Sequence, residues 1–189
     1  ELGGARAHVL GVIGGFEALH WNVRRYIVGD RLPRAVSGKG SERVIRNKWL
    51  RTLVADLIRI AMGQINARIA WRELGREVDW VYERAASLQS LGGTFKRHRI
   101  PWILETNALL FQEATHERKT VALRGISQRL EVKSYQACDV VICVSEALKE
   151  MVIRESKVPS HKVIVVPNGV DIEYFNPELY TTKRLFEDF

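Results

Sequence analysis

The chain has 189 residues, 46% hydrophobic and 27% charged, which suffices for one buried core and is too little for two ordinary domains. No stretch reaches the roughly 18 consecutive apolar residues of a membrane span, and no apolar leader with a small-residue cleavage site opens the chain, so a cytoplasmic protein is expected. The net charge of +7 resides entirely in residues 1–76, with 14 Lys/Arg against 6 Asp/Glu, and the two cysteines, Cys138 and Cys143, exclude a disulfide scaffold or a zinc module and read as core residues.

In chain order, Gly3-Gly4 opens a helix over Ala5 to Leu19, on which Val9, Leu10, Val12, Ile13, Phe16 and Leu19 recur at helical spacing. Asn22 to Val28 alternates like a strand, and the segment 29–42 has the Gly and Pro content of a loop carrying Arg31, Arg34 and Lys39. From Arg43 to Gly75 the pattern is helical, with Leu50, Val54, Leu57, Ile58, Ala61 and Ile65 on one face, a break expected near Gly63, and Arg68, Arg72 and Arg76 in an i, i+4 ladder.

The second half alternates regularly. Strands are predicted at Val78 to Tyr82, Pro101 to Glu105, Val140 to Val144 and Val163 to Val166. Helices are predicted at Ala85 to Arg97, Arg118 to Ala137 and Glu146 to Arg154, the last capped by Ser145. Short loops and the near-continuous apolar run Val140 to Val144 point to a Rossmann-like α/β domain, a parallel sheet with helices on both faces.

In such a sheet, ligands meet the loops at the carboxyl ends of the strands. There the chain offers Gly3-Gly4 at a helix start, Glu83-Arg84, and Glu105-Thr106-Asn107 followed by Glu113, His116 and Glu117. Backbone N–H groups at a glycine-rich helix start suit a diphosphate, and a single His in a charged loop is a weaker candidate for a base. Glu131, inside a long helix, is expected to be paired or to point outward. No Ser-His-Asp arrangement is visible, and no basic and aromatic stripe or finger spacing points to nucleic acid.

Taken in order, Gly3-Gly4-Ala5-Arg6-Ala7-His8-Val9, Val81-Tyr82-Glu83-Arg84, Ile100 to Ala108, Arg129-Leu130-Glu131, Ala137 to Ser145, and Val166-Pro167-Asn168-Gly169-Val170-Asp171 with Phe175 and Pro177 form a series. The series resembles the N-terminal domain of retaining glycosyltransferases of family 4, which have the GT-B fold of two Rossmann-like domains facing a cleft. The resemblance implies transfer of a sugar from a nucleotide-sugar donor to a sugar or lipid-linked acceptor with retention, and no cofactor beyond the nucleotide-sugar as co-substrate. It assigns Gly3 and Gly4 to the donor diphosphate, and Glu83, Arg84, Thr106 and Asn107 to the acceptor side. Glu131 and Ser145 match positions of structural use.

Residues 1–175 are then the N-terminal domain and 176–189 the start of a linker. Relative to the family, the strand before the glycine loop is missing, which leaves a gap or an exposed sheet edge, and many relatives have a histidine where Thr106-Asn107 stands. The nucleotide-sugar domain, with its acidic donor motif and basic diphosphate clamp, would lie beyond residue 189, so the isolated chain is expected to be inactive. Two other readings stay open: a non-catalytic binding subunit of the same fold, and a basic domain that binds nucleic acid or an anionic membrane surface, the latter through Arg31, Arg34, Lys39 and the helices that follow.

Overall fold

The computed structural model describes residues 4–31, 47–114 and 121–170. Gly3, Arg34, Lys39, His116, Glu117, Asp171 and the tail from residue 176 lie outside the described residues. The elements are α1 (Gly4–Ala18), α2 (Val28–Arg31), α3 (Lys48–Leu74), β1 (Val81–Arg84), α4 (Gly92–Arg97), β2 (Trp102–Thr106), α5 (Leu110–Gln112), α6 (Arg124–Ala137), β3 (Val140–Cys143), α7 (Glu146–Ser156), a 3₁₀ turn at Ser160–Lys162, and β4 (Val163–Val165). The four strands form one parallel sheet in the order β1-β2-β3-β4, flanked by helices, which is an α/β Rossmann-like fold. None of the helices among the described residues is long and apolar enough to cross a membrane.

The core lies where alternation places it. On β2 and β3, Trp102, Leu104, Val141 and Cys143 point into one cluster with Tyr135 of α6, Leu148 and Val152 of α7, and Val163 of β4. Gly92 opens α4 directly against the Trp102 indole, where any Cβ would collide with the ring. Both thiols are buried in this cluster, and burial pushes Cys138 up to about 12 and Cys143 up to about 11, so neither is a thiolate near neutral pH. Cys138 sits at the C-cap of α6 and Cys143 ends β3.

Three helix starts are capped from a distance. The N-cap positions of α4, α5 and α6 are Leu91, Leu109 and Leu123, which have no side-chain acceptor to offer. Carboxylates from elsewhere in the fold take over, Asp56 buried and Glu83 and Glu131 half-buried. Glu83 accepts from Leu91 N (2.7 Å) and Gly92 N (2.8 Å), Glu131 from Leu110 N and Phe111 N (2.8 Å each), and Asp56 of α3 from Ala122 N (2.7 Å) and Leu123 N (3.0 Å). Glu131 is thus paired, as expected for a carboxylate on an inward helix face. Ser145 caps α7 conventionally, accepting from Leu148 N at 3.2 Å.

Several sequence expectations shift. Residues 21–27 form neither helix nor strand and pair with no strand among the described residues. Trp21 packs edge-on against Trp80 and the Tyr26 hydroxyl donates to Asn66 Oδ1 at 2.9 Å, so side-chain docking replaces a ladder. The helix at 48–74 has no break at Gly63, because the missing Cβ there serves a close approach of Gln89 rather than a bend. Only Gly92–Arg97 of the predicted 85–97 helix forms, since residues 85–91 are a turn with Leu88 at φ 62°. The predicted apolar face of α3, from Leu50 to Ile65, points outward, while Asp56, Gly63, Asn66, Ala67 and Ala70 are the buried positions.

Candidate ligand-binding site

The register pairs Val81 with Trp102, Tyr82 with Ile103, Glu83 with Leu104 and Arg84 with Glu105. Glu83 and Arg84 therefore end the strand rather than follow it, and successive residues face opposite sides. Glu83 faces α4. Tyr82 faces α1, where Phe16 meets Trp80 (5.4 Å between centroids) and Tyr82 (5.7 Å) edge-on. Two turns earlier on α1, His8 Nε2 lies 2.7 Å from Glu105 Oε1. Helix α1 thus runs antiparallel to the strands, with its first turns at their carboxyl ends.

A polar cluster forms at this end. The Glu105 side chain is 3% exposed, and its Oε2 accepts from the Tyr82 hydroxyl at 2.9 Å. With the Asn107 amide oriented to satisfy both neighbours, its nitrogen donates to Glu105 Oε1 at 2.8 Å and its oxygen accepts from Arg84 Nη2 at 3.0 Å. The His8 contact is close but too oblique for a directed hydrogen bond. Burial first, then the Glu105 charge, pushes the Tyr82 phenol well above its ordinary value, so it stays protonated and donates.

Glu105 differs from the three capping carboxylates. They accept pairs of backbone N–H groups at helix starts, whereas Glu105 holds side chains from α1, β1 and the loop after β2. Beside it, between α1, the irregular segment 21–27 with the start of α2, the end of α3 and β1, lies a cavity of about 530 Å³. Eight successive residues from Glu77 to Arg84 line it, so it runs along the outer edge of β1 and not beneath one face. Val12, Ile13, Phe16 and Leu74 supply apolar lining, and Tyr82, Arg84 and Glu105 line it at the carboxyl end of the sheet. Among the described residues β1 pairs with β2 alone, and the cavity runs along its other edge, where the sequence leads one to expect a gap or an exposed edge.

The sequence-predicted residues divide by strand alternation. Arg84 and Asn107 join the Glu105 cluster on the α1 side. Glu83 and Thr106 face the other way, toward α4 and α6. The Thr106 hydroxyl donates to Ala108 O at 2.7 Å and lies 3.1 Å from the Tyr135 hydroxyl, whose single proton goes to the nearer Glu131 carboxylate at 2.8 Å. Gly4 is the exposed first residue of α1, and an added Cβ would touch nothing. Sequence reasoning named Glu105 at the strand exit without assigning it a role, and missed His8. Period-two alternation from Thr106 would have put Glu105 on the α1 side, but nothing local announces His8.

The whole of the described sheet falls within one family match. The family model for glycosyltransferase family 4 matches residues 2–174. The chain belongs to that family. No curated protein matches it. In this family 4 domain, the cluster can hold hydroxyl-bearing or anionic ligands through the Arg84 guanidinium and the second Asn107 N–H, while the Tyr82 oxygen, its one proton held by Glu105, can accept from a ligand hydroxyl. No group of three or more His, Cys, Asp or Glu among the described residues is arranged to hold a metal ion.

Proposed function

We propose that this chain is the acceptor-side domain of a GT-B glycosyltransferase, moving a sugar from a nucleotide-sugar to an acceptor with retention. The family 4 match across residues 2–174 supports transfer in general. The observation that carries the acceptor-side reading is the Glu105 cluster, which gathers Tyr82, Arg84 and Asn107 at the carboxyl ends of β1 and β2. Parallel α/β sheets take ligands at the carboxyl ends of their strands.

In this reading Arg84 and Asn107 bind acceptor hydroxyl or anionic groups, the Tyr82 oxygen accepts from an acceptor hydroxyl, and Glu105 positions all three. Gly3 and Gly4 approach the donor diphosphate across the cleft, where helix-start N–H groups attract negative charge. Glu83 and Thr106 act one layer behind, by fixing the start of α4 and the end of β2. A second, nucleotide-sugar-binding domain supplies the other wall, and no cofactor besides the co-substrate is required.

A transfer assay tests this. Product should form only when a family 4 nucleotide-sugar domain is supplied with the chain, and Glu105→Gln should lower transfer about tenfold or more by loosening the positioned groups. Efficient transfer by the 189 residues alone would overturn the division of labour. Acceptor binding that never leads to product with any donor domain would instead make the chain a non-catalytic binding subunit.

A further inference from the structure

Helix α3 exposes what helices normally bury. Leu50, Val54, Leu57, Ile58, Ala61 and Ile65 fall within an arc of about 100° on the helix, and all six are solvent-exposed, Leu57 at 53%. The opposite side, with Asp56, Asn66, Ala67 and Ala70, packs into the protein. From Leu50 to Ile65 the stripe is about 22 Å long. Trp49 flanks its start at 62% exposure, and the same arc continues into Arg68 and Arg72, with Arg76 just past the helix. These three arginines are exposed and have no ion pair among the described residues.

We propose that this face of α3 docks on an anionic lipid bilayer, the apolar stripe entering the headgroup and acyl boundary while Arg68, Arg72 and Arg76 meet lipid phosphates. The order of residues along one face decides the occupant. An apolar stretch with a terminal tryptophan, continued in line by an arginine ladder, is complementary to a surface that is apolar below and negative at the rim. A second copy of this chain is not complementary to it. The acidic residues of α3 are Asp56, buried against Arg59 and the start of α6, and Glu73, so a facing α3 would set arginines against apolar side chains or against other cations. Docking does not depend on the transfer reading, because it is measured without donor or acceptor.

Vesicle sedimentation with the full chain tests the proposal. Binding to vesicles of equal parts phosphatidylcholine and phosphatidylglycerol should exceed binding to pure phosphatidylcholine at least tenfold and fall with added salt. Arg68→Gln with Arg72→Gln should cost about thirtyfold. Leu57→Ser with Ile58→Ser should cost about tenfold or more at unchanged charge. Equal binding to both vesicles, or to neither, overturns the proposal. A dimer that dissolves in the Leu57→Ser, Ile58→Ser chain without any vesicle assigns the stripe to a second copy. A clear loss of thermal stability in that chain alone shows the stripe to be covered by the protein itself.

Discussion

On strands β2 and β3, Trp102, Leu104, Val141 and Cys143 are each at most 2% exposed, whereas on α3 Leu50, Leu57, Ile58 and Ile65 are each more than 40% exposed. Both regions carry regular apolar patterns, of period two in one and helical in the other, yet only the first is turned inward. The sheet half owns the core. The described residues up to 74 are attached to it by individual side-chain contacts: Phe16 against Trp80 and Tyr82, Trp71 against Phe95, His8 beside Glu105, and Asp56 on the start of α6. Stability therefore concentrates in the sheet half, and the first half is free to present surface.

The sharpest test of this contrast is a pair of truncations. Trp102→Ala should cost about 3–5 kcal/mol in urea unfolding, and Leu57→Ala no more than about 0.5 kcal/mol; equal costs would break the distinction. Next in size is a pH effect at Glu83. Burial against the start of α4 raises its carboxyl to about 7, although the Leu91 and Gly92 N–H groups pull the other way. Because the folded value lies above the unfolded one, the contribution to stability is complete below the ordinary carboxyl range. It is lost as pH rises through about 7, by at most about 3 kcal/mol. Glu83→Gln should flatten urea midpoints across that window.

Asp56 links the two regions. Asp56→Ala leaves the N–H groups of Ala122 and Leu123 without their acceptor and should cost about 2 kcal/mol, read by denaturation. Tyr135→Phe removes one hydroxyl from Glu131 while the two backbone N–H groups remain, and should cost about 1 kcal/mol. If Tyr135→Phe proved the costlier of the two, capping within the sheet half would outweigh the tie between regions.

How far the sequence foretold this depends on whether a residue's partners are local. The parallel sheet, the Ser145 cap and the pairing of Glu131 follow from alternation and from the chemistry of a helix interior. Arg84 and Asn107 were readable as polar residues at strand exits. Glu105 was harder, since a carboxylate at a strand end looks exposed until His8, almost a hundred residues earlier, and Tyr82 close over it. The three leucine N-caps concealed their carboxylate partners for the same reason. On α3, periodicity located the apolar stripe correctly but is silent on whether anything covers it, because amphipathicity defines a face and not its neighbour. The strand expected at 22–28 failed because alternation needs a pairing partner, and there Tyr26 is held by Asn66 of α3 instead.

The strand order has a consequence for biosynthesis. Since β1, β2, β3 and β4 are neighbours in space in the order in which they are translated, each new strand leaves the ribosome to find its hydrogen-bonding partner already made. Among the described residues no strand must wait for a distant later one, so these four strands can be assembled stepwise from β1 outward as the polypeptide grows.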